Sequence, residues 1–303
     1  MSRNVTVGLD GSPESRAAAE WAAREAGGRG LPLRLLHVRE PAPAPLTYPP
    51  PAAAAETFQD WADRIPREAA DGIRLRHPGV EVAVELHEGA PDAVLTAAAG
   101  DAELLVLGSR GLGGLGGYLV GSVGLAVAAR VERPVVFVRA GEQAADEHAM
   151  DLAGIPSAAT GFRPVVLGLD ADSPDDTVLA FAFEAAARRA APLRAVHAWN
   201  LPPYYVYGMS AVLGLHEEFA RQKAAEIAEA LRPWWCRKYP EVEVREESRI
   251  GSPAGHLVEA SGDGSLIVVG RRTRHGRIGT RIGSVTHAVL HHAAVPVAVV
   301  AHG

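Results

Sequence analysis

The chain has 303 residues, more than one ordinary domain core needs, and its 48% hydrophobic residues are enough for packed interiors. A formal net charge of -6 gives no global basic field for nucleic acid, and a single cysteine, Cys236, rules out an intrachain disulfide. The nineteen residues from Gly111 to Ala129 carry no charge, but seven are glycine, so the run is too weakly apolar and too weakly helical to read as a membrane span.

The chain opens on "RNVTVGLD", a strand pattern with no apolar signal region before it, and the cytoplasm is the expected compartment. In the first half, strands are expected at about Val5 to Asp10, Leu33 to Arg39, Glu81 to Glu88, Leu104 to Gly108 and Pro134 to Arg139. Helices fall between them: "SRAAAEWAAREAGG", "ETFQDWADRIPREAADGIRLRH", "PDAVLTAAAG" and "SVGLAVAARV". The runs near Leu104 and Val135 are continuously apolar, as strands are when helices cover both faces of a parallel sheet.

The second half repeats the first. "NVTVGLDGSPES" aligns with "PVVLGLDADSPD", which sets Asp10 over Asp170, and the same offset sets His37 over His197. At an offset two residues larger, "LLVLGSRG" lies over "LIVVGRRT" and Gly121-Ser122-Val123 over Gly283-Ser284-Val285. The expected architecture is α/β, with two tandem doubly wound domains, each built on a five-stranded parallel sheet (residues 1–142 and 161–303). The small and polar residues 143–160 read as a linker.

In a doubly wound sheet, ligands bind beyond the carboxyl ends of the strands where the strand order reverses. Asp10 ends the first strand, Val38 nearly ends the second and Gly108 ends the fourth, so all three are expected at one crevice. No GK[ST] occurs, which excludes a P-loop. Gly111, Gly113 and Gly116 form a GxGxxG, but it follows the fourth strand and lacks the acidic residue that a dinucleotide fingerprint requires. A second pattern, G-x2-G-x9-G-S, uses Gly108, Gly111, Gly121 and Ser122; its final Gly-Ser opens a helix whose free N–H groups, dipole and hydroxyl favour an anion.

With these motifs in two copies, nearly the whole chain resembles the universal stress protein family in its ATP-binding branch. The resemblance implies a Rossmann-like fold of the adenine nucleotide alpha hydrolase type. It also implies ATP, which Mg2+ could accompany, bound for regulation in stress or dormancy rather than for catalysis beyond slow hydrolysis. In the first domain it implies that Asp10 and the main chain around Val38 hold adenine and ribose, with Gly108, Ser109, Arg110, Gly111, Gly121, Ser122 and Val123 at the phosphates. The matching set in the second is Asp170, Ala198, Gly270, Arg271, Arg272, Gly283, Ser284 and Val285. The second loop departs from the pattern: Thr273 stands where the second glycine is expected, a costly choice if that position needs a positive φ. Arg271, Arg272, Arg274, Arg277 and Arg281 surround it, either as phosphate contacts or as a solvated face. The final strands "PVVFV" and "PVAVV" fall at sheet edges, which by the resemblance pair domains and join two chains as a homodimer.

Other features have plainer readings. Asp10 and Asp170 can serve as helix N-terminal acids, each followed by Ser and Pro. His287, His291 and His292 have metal-ligand spacing, but no Cys, Asp or Glu nearby completes a site, so no metal centre is expected. Cys236, His37 and His197 read as packed. The stretches "REPAPAPLTYPPPAAAAE" and "WNLPPYYVYGMSAVLGLHEE" are too proline-rich for ordinary helix, and read as lids, partner surfaces or spacers. Two alternatives stay open: an adenylate- or phosphoryl-transferring enzyme using Asp10, and a nucleotide-free scaffold.

Overall fold

The computed structural model describes residues 3–40, 52–109, 120–200, 212–273 and 282–303, with side chains from 63 onward in the second helix and from 218 onward in its counterpart. The chain divides into two units, Met1–Gln143 and Ala144–Gly303.

Unit 1 alternates β1 (Val5–Leu9), α1 (Pro13–Arg29), β2 (Leu33–Arg39), α2 (Ala52–Arg76), β3 (Val82–Glu88), α3 (Pro91–Asp101), β4 (Leu104–Ser109), α4 (Ser122–Arg130) and β5 (Val135–Arg139). Its strands pair in parallel in the order β3-β2-β1-β4-β5. Unit 2 repeats the plan with β6 (Val165–Gly168), α5 (Asp176–Arg189), β7 (Leu193–Trp199), α6 (Val212–Leu231), β8 (Val244–Ile250), α7 (Pro253–Ala260), β9 (Leu266–Arg272), α8 (Ser284–His292) and β10 (Val297–His302). Its order is β8-β7-β6-β9-β10, again parallel. In each unit the strand order reverses beside the first strand, between β1 and β4 and between β6 and β9.

The central strands are apolar on both faces because helices cover both. Leu104, Leu105 and Val106 of β4 and Ile267 and Val268 of β9 are fully buried. In unit 1, α1 and α2 lie on one face while α3 and α4 lie on the other. Local chemistry sets α1: the Ser12 hydroxyl accepts from the Ser15 N–H at 3.1 Å, Pro13 opens the first turn, and Gly30 closes the helix at φ 63°. Six of its nine buried residues are alanine, which brings its backbone close to the sheet. A Cβ on Gly108 would lie 2.7 Å from the backbone of Glu14 and Ser15. Gly108, next to last in β4, therefore serves helix-on-sheet contact with α1, in addition to the ligand approach that sequence spacing assigns to it.

Helix α2 starts at Ala52, and α6 at Val212, so the ends of both proline-rich stretches are helical where no ordinary helix was expected. Beyond the last proline of each stretch a helix can start, and the alanines at 52–55 are the best helix formers available; Pro66, farther along α2, removes one bond of its i to i−4 ladder. The remaining residues of the two stretches, and with them the lid reading, lie outside the described residues.

The segment expected as a linker is folded against unit 2. His148 stacks on Phe162 at 4.0 Å, the Ala149 N–H donates to Gly161 O, and Glu147, 4% exposed, faces Arg189 at 3.8 Å. Among the described residues no helix is long and apolar enough to cross a membrane.

Replacing Gly108 with alanine forces a Cβ against the backbone of α1, and should destabilise the folded chain by about 1–3 kcal/mol in urea unfolding. An unchanged midpoint would show that α1 does not pack over this glycine as closely as described.

Candidate functional site

In unit 2 the carboxyl ends of β6, β7 and β9 and the start of α8 enclose a crevice of about 670 Å³ at the reversal of strand order. This is within the range of small-molecule sites, about 300–1,000 Å³. The fold gathers Asp170, Ala198, Gly270, Arg272, Gly283, Ser284 and Val285 around it. Arg271 is not among them. It is 4% exposed, and strand alternation turns it to the face opposite Gly270 and Arg272. Arg274, Arg277 and Arg281 lie outside the described residues.

The wall at α8 is a helix end without a cap. Gly283 has extended backbone (φ −60°, ψ 154°) and offers no side chain, and no acidic residue occupies the first turn. Leading N–H groups there lack intrahelical acceptors, and the helix dipole adds partial positive charge. Around Gly283 a Cβ would meet nothing within 4 Å, so neither packing nor dihedral angle requires glycine there. The space beside its Cα is open, which suits close approach of an anion to the N–H groups.

The floor of the crevice is held by side chains that spacing did not single out. Thr286 donates its hydroxyl to Gly270 O at 2.8 Å. The His302 imidazole covers Gly270, where a Cβ would come within 2.8 Å of its Nε2, and the ring faces Asp175 at 3.6 Å. Asp175 in turn caps α5, accepting from the Thr177 N–H at 2.8 Å. In the aligned "PVVFVRA" the place of His302 is taken by Ala140, so this group is peculiar to the second copy.

Thr273 is not strained. Among the described residues only Ala190 is a non-glycine with positive φ; Thr273 donates to His302 O through its N–H at 2.6 Å and its hydroxyl at 2.8 Å. The anticipated dihedral penalty is absent, and the threonine ties the end of β9 to that of β10.

The charges at the rim are paired but exposed. Arg272 faces Asp170 at 3.8 Å, with both side chains more than half exposed. Such a pair is weak in water, and a multivalent anion can draw Arg272 away from it. On the loop after β6, Lys223 of α6 donates to Asp172 at 2.6 Å. That hydrogen bond, against some burial, holds the Asp172 carboxyl below its ordinary range.

Unit 1 is described in part. Asp10 accepts from the N–H and the hydroxyl of Ser12, at 3.0 and 2.5 Å, so it shapes the entry to α1 while Ser12 is the cap itself. Val38 is half-buried near the end of β2, opposite His87. The Ser109 hydroxyl is buried and donates to Val138 O at 3.2 Å, so the side chain is already engaged. Gly121 begins α4 with the same extended geometry as Gly283 (φ −61°, ψ 160°), Ser122 is exposed and Val123 half-buried. Arg110 and Gly111 lie outside the described residues. Cys236 is half-buried, and burial first, then Glu246, pushes its thiol pKa up, the reverse of what a nucleophile needs.

Comparison with known proteins agrees with this architecture. The model of the universal stress protein family matches residues 1–139 and 161–301. A universal stress protein of Mycobacterium tuberculosis is 35% identical over 303 residues, covering 97% of this chain and 96% of that protein. One from Mycolicibacterium smegmatis is 32% identical over 305 residues, covering 98% and 96%. Among solved structures, a universal stress protein from Archaeoglobus fulgidus superposes with a TM-score of 0.68 at 17% identity, covering all of both chains.

Adding a methyl at Gly283 tests the wall directly. Gly283→Ala should change unfolding stability by less than about 1 kcal/mol, yet weaken tripolyphosphate binding to unit 2 about tenfold or more. Equal affinity in calorimetric titration would mean that anions do not approach this helix end.

Proposed function

Because the chain belongs to the universal stress protein family, we propose that it is a cytoplasmic regulatory protein that binds ATP at the crevice in each half and signals through nucleotide-dependent conformation or partner binding. The observation that carries this reading is the uncapped start of α8, with open space at Gly283, at the reversal of the strand order in unit 2. ATP supplies what those residues lack: phosphate oxygens for the N–H groups of Ser284 and Val285, and negative charge for Arg272. Gly270 and its neighbours complete the phosphate wall, while Asp170 and the main chain at Ala198 hold ribose and adenine. In unit 1 the same roles fall to Asp10, Val38, Gly108, Ser109, Arg110, Gly111, Gly121, Ser122 and Val123. Mg2+, where present, accompanies the phosphates.

This reading makes the chain a binding protein. Its output is the ordering of the crevice, and self-association and protein partners belong to the same proposal. An exposed Arg272–Asp170 pair gives it a means of response, since a bound phosphate competes for Arg272 and releases Asp170.

The test is the nucleotide released from purified, denatured protein, identified and counted by chromatography and mass spectrometry. Near two ATP per chain are expected, falling toward one in Gly121→Ala. No nucleotide after purification and no binding of added ATP would overturn the proposal.

A further inference from the structure

Beside the crevice of unit 2 lies a group of side chains that the nucleotide reading does not use. Asp172, on the loop after β6, His197, near the end of β7, and Glu226, on α6, each offer one ligand atom, and these atoms lie within 4.8 Å of one another. Among the described residues this is the one such group of three. His197 is 4% exposed, and its Nδ1 meets Leu169 O at 3.0 Å. The Ala171 N–H also approaches Nδ1, at 3.4 Å, but the contact to Leu169 O is the shorter, and since a carbonyl can only accept, it favours the proton on Nδ1 and the lone pair on Nε2. Among the described residues that buried Nε2 has no hydrogen-bond partner. An unsatisfied buried nitrogen is costly, and an electrophile beside it removes the cost.

The place already holds a cation. Lys223 sets its ammonium 2.6 Å from Asp172 and 2.7 Å from Glu226. Burial works against the charge on Lys223, but the two hydrogen bonds outweigh it and raise its pKa. Two carboxylates against one ammonium still leave net negative charge. Lysine is a poor permanent occupant, since its flexible stem can swing to solvent and its N–H donors, spent on Asp172 and Glu226, do not reach Nε2.

We propose that Asp172, His197 and Glu226 form a site for a divalent transition metal of the zinc type, and that Lys223 is the counter-cation the metal displaces. One imidazole and two carboxylates are a mixed nitrogen and oxygen donor set suited to zinc, and three protein ligands leave a coordination position open. The Nδ1–H bond to Leu169 O is the support that orients metal-binding histidines. Both Asp172 and His197 line the crevice, so the open position is on the crevice side. Asp172, 65% exposed, is free to rotate inward as ligand bonds of about 2 Å draw the group together. The first copy cannot do this. Ser12 and His37 align with Asp172 and His197, and Ile65 of α2 packs against Gly11 of the corresponding loop.

The experiment uses the full chain, stripped of metal and nucleotide and titrated with Co2+ alone, read by visible absorption and calorimetry. One Co2+ per chain is expected, with the intense bands of a four- or five-coordinate ion. Asp172→Asn and Glu226→Gln, both at exposed or half-buried positions, should each weaken binding about tenfold or more. Lys223→Gln should tighten it. His287→Ala should leave it unchanged, although His287 and His291 place their Nε2 atoms 3.2 Å apart on α8. The proposal is overturned by no Co2+ uptake in either the wild type or Lys223→Gln. It is equally overturned by uptake that survives both carboxylate variants or that is lost in His287→Ala. Nucleotide takes no part in the measurement, so its outcome is separate from that of the ATP reading.

Discussion

The leading N–H groups of α8 have no acceptor within the helix, and the crevice of unit 2 is organised around that deficiency. A serine, threonine or aspartate at the N-cap would satisfy one of them locally, as Ser12 does for α1 and Asp175 for α5. Gly283 satisfies none. The parallel sheet places this helix end beside the carboxyl edge of β6 and β9, where crossover connections diverge and leave room. Alanine would fit Gly283 sterically and its φ is ordinary, so packing and dihedral angle do not demand glycine, although glycine is itself tolerated at an N-cap better than alanine.

Much of this was legible in the residues. Continuous apolar runs marked β4 and β5, the doubled motifs marked the repeat, and alternation of strand with alanine-rich helix marked a doubly wound sheet. The starts of α4 and α8 were found from Gly-Ser before an apolar run. What could not be read is what depends on neighbours distant in the chain. Spacing showed a glycine near the end of β4, but not that the backbone of α1 rests on it. Arg271 and Arg272 are adjacent in sequence, and only the register of β9 decides that one is buried and the other faces the crevice. His302 and Thr286 gave no motif at all. Their positions follow from β10 running beside β9 and α8 lying over it.

The two halves share a frame but not their chemistry. Thr273, His302 and Asp172 replace Gly111, Ala140 and Ser12 of the aligned first copy. Each adds a polar group to unit 2 without altering strand order. Thr273 is accommodated because its backbone avoids positive φ and its hydrogen bonds bind β9 to β10. Asp172 brings a second carboxylate to Lys223 and Glu226, next to a histidine whose outer nitrogen has no partner among the described residues. The frame sets where a ligand can lie, and Asp172 and His302 give the second copy titratable groups that Ser12 and Ala140 do not.

The central claim is that the helix end at Gly283 receives the phosphates. Amide NMR of the isotope-labelled chain titrated with ATP tests it most directly. The account predicts that the N–H signals of Ser284 and Val285 shift at the affinity measured for ATP, and that the same amides do not respond to adenosine. Shifts confined to residues away from α8, or identical responses to adenosine and ATP at these amides, would contradict it.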